Sequence, residues 1–211
     1  MTTARIVGTS VPRMEGRDKV AGLARYVDDM VLPGMLYGAT VRSRIPRGKI
    51  KEFTFGPGID WKEFVIVSPR DIPGKNCIAL IEDDQPCLAD GVVNHSEEPL
   101  LLLAHPDRHL LPKAVEAVSV DYDPLPAIFS MEESEKLSQV IWGRDNTFKS
   151  YLIEKGDVDA VWESADYVVE GEYRTGAQEQ FYIENNGMIA SFDPEKGLTA
   201  WGSLQCPYYV H

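Results

Sequence analysis

Cysteine is scarce in this chain of 211 residues, and the cysteines present are poorly spaced for binding a metal. Cys77, Cys87 and Cys206 form no Cys-x-x-Cys pair and match none of the zinc spacings. The sequence therefore offers no iron–sulfur site, because such clusters are held by sets of cysteine thiolates. A sparse and odd-numbered set of thiols suits a reducing cytosol, so we expect a cytoplasmic protein.

Long apolar runs are lacking as well. The longest, residues 99–104 (PLLLLA), is far shorter than the ~20 residues that a membrane-spanning helix requires. The first eight residues, MTTARIVG, contain no apolar core of a secretion signal. We therefore expect neither a membrane span nor export, while a hydrophobic content of 44% is sufficient for a packed core.

Basic residues are outnumbered, with 21 Lys and Arg against 33 Asp and Glu and a formal charge of −12. This balance argues against nucleic-acid binding, which needs a basic face to displace counterions from phosphate. One local basic run stands out, residues 42–51 (RSRIPRGKIK). It is either a solvated loop that enters a strand or a docking surface for an acidic partner subunit.

Familiar catalytic motifs are also missing. The chain has no Gly-x-Ser-x-Gly, no P-loop and no dinucleotide fingerprint. His105 and His109 have the spacing of two zinc ligands on one helical face, but Pro106 interrupts that turn and no cysteine or carboxylate joins them. We therefore expect these two residues and His95 to be ordinary surface histidines.

The hydrophobic pattern predicts an α+β fold built from short strands and helices. A helix is expected over residues 105–117, with Asp107 as its N-cap and Pro112 in its first turn, and a shorter one over 157–165, capped by Asp157. A hairpin is expected over 187–203, where Gly197 supplies the positive φ of the turn. Further strands are expected at 36–42, 64–67, 92–93, 99–104, 118–122 and 167–173, with 92–93 and 99–104 in one sheet.

The most informative stretch is residues 172–184 (EYRTGAQEQFYIE). A tight turn at Gly176 precedes a polar cluster, Gln178, Glu179 and Gln180, and an apolar run then predicts the start of a strand at 181–183. Neutral amides are costly to bury because the carbonyl oxygen and both N–H donors need partners. They are useful where a side chain must donate a hydrogen bond to a fixed oxygen without adding a charge. The alternative interpretation of this polar cluster is a solvated turn.

Three segments carry a resemblance to a known family. Residues 155–180 (KGDVDAVWESADYVVEGEYRTGAQEQ) resemble the passage that leads into the "TG-x-Q-E" turn of the molybdenum-binding subunit of the xanthine dehydrogenase and aldehyde oxidase family. Residues 15–38 (EGRDKVAGLARYVDDMVLPGMLYG) resemble its opening motif, and residues 118–127 (VSVDYDPLPA) resemble the end of its first domain. The motifs occur in the family's order and cover nearly the whole chain.

The resemblance implies a domain plan. Residues 1–13 are a lead-in, 14–126 an α/β-hammerhead domain, 127–153 a linker, and 154–211 the mostly β start of a molybdopterin-binding domain. Subunits of this family are several times longer, and their glycine-rich loop and catalytic glutamate lie in parts that find no match here. We therefore expect a fragment that contains no catalytic residue and does not turn over substrate alone.

The resemblance also names candidate cofactor-binding residues. Gln178 matches the family glutamine whose side chain points at an oxygen ligand of the molybdenum without binding the metal. Gln205, in the closing segment 201–211 (WGSLQCPYYVH), matches a second family glutamine. Glu184 is assigned to structure, because the family's base comes from much later in its chain. No direct metal ligand is expected.

Two hypotheses about function follow. In the first, the chain is part of a molybdenum hydroxylase that oxidises purines, other N-heterocycles or aldehydes. The complete enzyme would use a molybdenum–molybdopterin cofactor, in a dinucleotide form, which we expect to be absent from this fragment, while FAD and [2Fe–2S] clusters reside on partner domains or subunits. In the second, it is a non-catalytic module that assembles with other subunits. Either way, strands 167–173 and 187–203 should expose edges and cause self-association.

Overall fold

The computed structural model describes residues 7–78, 82–183 and 185–204. Its contacts divide the chain into two compact units. One takes in the chain up to Met35 and from Glu179 onward, and the other runs from Leu36 to Gln178. The predicted α+β class is confirmed, since short helices and antiparallel strands both occur.

The first sheet of the larger unit is centred on the most apolar segment of the chain. Strand β5 (Pro99–His105) lies between β1 (Tyr37–Arg42) and β3 (Val65–Val67), antiparallel to both. Leu100 and Leu103 are fully buried, and β5 is the central strand of this sheet. The apolar run 99–104 is therefore a core strand, as its composition predicts.

The second sheet contains a strand for which the sequence predicted only the beginning, at the end of the basic run 42–51. Strand β2 (Gly48–Phe55) lies between β4 (Val92–Val93) and β6 (Val118–Pro124), again antiparallel to both. The register shifts between Ile50 and Glu52, so β2 carries an irregularity there. Strands β4 and β5 thus belong to different sheets, and the expectation that they share one sheet is wrong.

Helix α2 (Leu111–Ala117) packs on both sheets through Leu111 and Ala114, but it begins six residues later than predicted. Residues up to His105 continue β5, and Asp107 is not a helix N-cap; its carboxylate accepts from His109 N at 2.8 Å ahead of the helix. Pro112 occupies the first turn, the place where a missing N–H is tolerated. The buried cluster comprises Val41, Phe64, Ala89, Val93, Leu100, Leu101, Leu103, Leu111, Ala114 and Val118.

Two short capped helices follow β6. Helix α3 (Met131–Glu135) begins at Ser130, whose hydroxyl accepts from Glu133 N at 3.1 Å. Helix α4 (Val158–Trp162) begins at Asp157, whose carboxylate accepts from Ala160 N at 3.0 Å, as predicted. Both caps satisfy a backbone donor that the helix itself leaves unpaired.

The strand predicted at residues 167–173 is wrong. That segment has no regular structure, and Tyr167, Val169 and Tyr173 are largely exposed. β-branched and aromatic residues favour a strand only where a neighbouring strand pairs the backbone and a face is buried. In the part of the chain that the structure describes, no strand pairs with this segment.

The basic run 42–51 is only partly the solvated loop that one alternative predicted. Arg44 is exposed, but Arg47 is half-buried and Gly48 is buried. Arg47 Nη1 donates to the carbonyl oxygen of Pro126 at 3.0 Å and to Oε1 of Gln139 at 2.5 Å. Arg47 therefore anchors the chain that follows β6.

The smaller unit is built around a hairpin. Strands β7 (Gly187–Asp193) and β8 (Gly197–Ser203) pair antiparallel, and Gly197 has φ +81°, which confirms the predicted hairpin and turn. Helix α1 (Gly16–Val20) and a 3-10 turn (Val27–Asp29) precede it in the chain, and the turn contacts both strands. The strand start predicted at 181–183 is wrong, because Phe181 lies at φ +49°, outside the extended region.

The helices are short. In the described part of the chain, none has the length and apolar character that crossing a membrane would require.

Candidate functional site

The segment that the sequence singled out, residues 172–183, is exposed along its whole length. Arg174 lies just before Gly176; its Nε donates to Glu172 Oε1 at 2.7 Å, and its Nη2 lies 4.0 Å from Glu132 Oε1. A Cβ added to Gly176 would meet no atom within 4 Å, so the space beside this glycine is open. The tight turn predicted at Gly176 is wrong, because residues 171–180 form neither a turn nor any regular structure.

Gln178 presents its amide to solvent. Within the described residues, its side chain makes no hydrogen bond, so its carbonyl oxygen and both N–H donors are all available. The neighbouring Glu179 carboxylate accepts from Gln180 N at 3.1 Å. A free neutral amide in this position can donate to an oxygen without bringing a formal charge to it.

The other amide predicted from the sequence, Gln205, lies outside the described residues, as does Glu184. The structure therefore places only Gln178 of the two candidate cofactor-binding residues.

Among the described residues, no group of three or more His, Cys, Asp or Glu side chains could hold a metal ion. The structure therefore gives no support for direct coordination of a metal by these residues. His95 and His109 are exposed, as expected. His105 is not a surface histidine, which corrects the prediction: it ends β5 and is 7% exposed. The alternation of β5, with Leu101 and Leu103 also facing the core, is the signal that could have found this.

His105 is held by three neighbours. Its ring stacks on Phe64 with centroids 4.5 Å apart, and Asp107 N donates to its Nδ1 at 2.9 Å. Nε2 lies 3.8 Å from Oε2 of Glu63, which is well exposed. A histidine with a stacked ring and an occupied Nδ1 fits a packing role better than a metal-binding one.

A pKa shift with a clear cause lies away from this segment. The Ser68 hydroxyl donates to Asp71 Oδ2 at 2.6 Å, and Ser68 N donates to the same oxygen at 2.7 Å. Both bonds favour the ionised carboxylate and lower the pKa of Asp71 below its usual range. Asp71 is the last residue of a 3-10 turn (Pro69–Asp71), so this bond pattern caps the turn and makes no catalytic group.

Two regions of the chain match sequence models of known protein domains. Residues 21–126 match the sequence model described as "Aldehyde oxidase and xanthine dehydrogenase, a/b hammerhead domain". Residues 143–211 match that of the "Molybdopterin cofactor-binding domain". The fold is thus an α/β-hammerhead domain followed by part of a molybdopterin cofactor-binding domain. Because the first match alone spans half of the chain, the chain belongs to the aldehyde oxidase and xanthine dehydrogenase family.

Relatives support the same assignment. The chain is 32% identical over 208 residues to the nicotinate dehydrogenase large molybdopterin subunit of Eubacterium barkeri, with 97% of this chain and 49% of that protein covered. It is 33% identical over 206 residues to xanthine dehydrogenase 1 of Arabidopsis thaliana, with 95% and 15% covered. The chain thus spans about half the length of the first relative and much less of the second.

Solved structures agree on the fold. The Cu,Mo-CO dehydrogenase superposes with a TM-score of 0.80 at 26% identity, covering 96% of this chain and 28% of that one. The aldehyde oxidoreductase from Desulfovibrio desulfuricans gives a TM-score of 0.79 at 24% identity, covering 93% and 24%, which supports the fold alone. Domain limits at residues 13, 126 and 153 stay a prediction.

Proposed function

We propose that this chain contributes part of the molybdenum-binding subunit of a xanthine dehydrogenase-type oxidoreductase. The observation that carries this proposal is the succession, along one chain, of a hammerhead match and a molybdopterin-domain match. The reaction class is oxidative hydroxylation, with purines, other N-heterocycles or aldehydes as substrates. Relatives named for xanthine and nicotinate support the heterocyclic choice.

Gln178 is the residue of this chain that we assign to the cofactor. Its amide is exposed and has all of its hydrogen-bonding capacity available in the described residues, which fits a neutral donor to an oxygen of the cofactor. The described residues offer no direct ligand set, so the metal would be carried by its pterin. When bound, such a group supplies a metal that makes a nucleophile from water at neutral pH. Gln205 is proposed as a second amide on sequence resemblance alone.

The finer assignments follow from the family resemblance. We expect the pterin in a dinucleotide form, and FAD and [2Fe–2S] clusters on partner domains or subunits. The large-subunit names of several relatives support a multi-subunit assembly. We also propose a cytoplasmic location, because the sequence has only three cysteines and a sparse, odd-numbered set of thiols suits a reducing compartment.

Turnover by the 211 residues alone is not expected. Gln178 stands on an exposed segment, and no described side chain bonds to its amide or forms a wall beside Gly176. A catalytic site needs groups held in place and water excluded. We therefore propose that further polypeptide completes the site.

One face of the hairpin also supports the proposal that further polypeptide covers this part of the chain. Its cross-strand pairs Met188–Gly202, Ala190–Ala200 and Phe192–Leu198 are all apolar, and Phe192 is 73% exposed. Among the described residues, β7 and β8 pair only with each other, and a two-stranded hairpin with an exposed apolar face invites association. We expect the purified chain to self-associate, and sedimentation that stays monomeric from about 1 to 500 μM would contradict this.

The test is cofactor content. The tag is placed on the subunit that contains this chain together with the polypeptide that completes its site. That subunit is purified from its source cells with whatever assembles on it, and molybdenum and oxidised pterin are quantified per chain, for the natural sequence and for Gln178→Ala. We expect about one molybdenum per chain for the natural sequence, as one site per subunit requires, and a loss of hydroxylase activity in the variant. Absence of both molybdenum and pterin would refute the enzyme proposal.

The alternative from the sequence is a non-catalytic module that assembles with other subunits. The exposed apolar residues Tyr151, Leu152, Ile153, Tyr167, Val169 and Tyr173 favour it, because each is more than three-quarters exposed. Recovery of partner subunits without molybdenum or pterin is the result that this alternative predicts.

A further inference from the structure

A cleft of about 470 Å³ lies in the larger unit between the turn at residues 94–96 and the loop 127–146. We call it the Arg47 cleft, because Arg47 is one of its lining residues. It shares no lining residue with the exposed segment 172–183, and nothing in the proposed function uses it. Its volume lies within the range of small-molecule sites, about 300–1,000 Å³.

The charge of the cleft is opposite to that of the chain. The sequence has 33 acidic residues, yet no Asp or Glu lines the cleft, where the ionisable side chains are Arg47 and His95. Arg47 is half-buried and forms no ion pair within the described residues. A partly buried guanidinium without a counter-charge is unusual, because removing a charge from water is costly unless an opposite charge compensates.

The hydrogen bonding of Arg47 is also incomplete. Nη1 serves two neutral oxygens, those of Pro126 and Gln139. Nε is buried and has no acceptor among the residues that the structure describes. An unpaired buried donor is destabilising, and a carboxylate is the acceptor that matches the fork of a guanidinium.

The other residues that line the cleft indicate what kind of ligand it could hold. Phe129 and Ile141 add exposed apolar surface. Neutral polar residues also line the cleft: Asn94, Ser96, Ser130, Ser134, Gln139 and Asn146. A concavity that combines apolar surface with polar groups can both hold and orient a small organic molecule. A volume of this size suits a compact ligand better than a protein segment, whose interface is spread over a much larger area.

We propose that the Arg47 cleft binds a small organic monocarboxylate with a flat apolar body. Arg47 provides the charge through Nη2 and Nε, which make no hydrogen bond in the described residues, and Phe129 and Ile141 contact the apolar part. This site is separate from the proposed cofactor segment, so its test does not depend on molybdenum or on activity.

The experiment is equilibrium dialysis of benzoate against the 211-residue chain, with benzamide as the uncharged probe of the same shape. Ser134→Asp places a carboxylate in the lining without removing any bond of Arg47, since the Ser134 hydroxyl makes no hydrogen bond in the described residues. Ser150→Asp adds the same charge at an exposed position that does not line the cleft. Arg47→Lys keeps the charge but removes the fork.

We expect one benzoate per chain and benzamide binding weaker by about tenfold or more, because the charge-assisted bond is lost. Ser134→Asp should weaken benzoate by about tenfold or more through like-charge repulsion, while Ser150→Asp stays within about twofold. Arg47→Lys should weaken benzoate as well, because an ammonium cannot form the bidentate pair. Absence of saturable benzoate binding, equal binding of benzamide, or equal effects of the two aspartates would overturn the proposal.

Discussion

Replacing Leu103 by alanine should be the most damaging single truncation in the first sheet. Leu103 is fully buried at the centre of β5, opposite Ala39 of β1 and Ile66 of β3. The change removes three carbon atoms, worth about 2.4 kcal/mol at about 0.8 kcal/mol for each buried methylene. A cavity in a strand paired on both sides collapses poorly, so the total should reach about 3–4 kcal/mol.

The matched control is the next residue along the strand. Leu102 belongs to the same strand and loses the same three carbons on truncation, but it points to the other face and is 37% exposed. Its truncation should cost about 1 kcal/mol, because part of its surface is already in water and solvent can fill the space. The difference between the two variants therefore isolates the face of β5 that is packed.

Equilibrium unfolding in urea measures both losses. Trp61 is a fluorescent reporter within the larger unit, because its ring packs against Phe55 and Phe64. The slope of the free energy of unfolding against urea must stay unchanged for the comparison to hold. Equal losses for the two variants, or a loss under about 1 kcal/mol for Leu103→Ala, would refute the packing described here.

Other predictions concern single contacts. Ser68→Ala should raise the pKa of Asp71 towards its usual range, which an NMR titration of the carboxyl would detect. The hydrogen bonds from Ser68 favour the ionised form of Asp71 in the folded state. Their small contribution to stability is therefore present above the usual pKa of an aspartate, and it disappears as the pH falls through the lowered pKa of Asp71. Gly56→Ala should cost about 1–3 kcal/mol in urea unfolding, because the new Cβ would lie 2.8 Å from the backbone oxygen of Ala117. Gly74→Ala is its control, with no atom within 4 Å of the added carbon, and a similar loss for both would contradict the close approach.

Much of the fold could be predicted from local patterns. The apolar run that became β5, the turn glycine Gly197 and the cap Asp157 each depend on residues a few positions apart. The start of α2 was harder to predict, because β5 ends at His105 and residues 106–110 form a bend and a turn before the helix begins at Leu111. For the candidate site, solvent exposure of the segment around Gln178 was one of the predicted alternatives, but the predicted turn at Gly176 was not found. The cofactor role of Gln178 was inferred from family resemblance and stays a proposal.

Local patterns in the sequence were enough to predict the class of fold, the helix capped by Asp157, the hairpin and the membership of the family, because period, capping and motif order depend on residues close together in the chain. Tertiary structure alone decided that His105 is buried against Phe64 and that residues 167–173 form no strand. It also decided the role of Arg47, whose partners lie 79 and 92 positions away along the chain. The physical reason is that burial and strand pairing are set by neighbours in space, and a local pattern does not say which distant segment will be beside it.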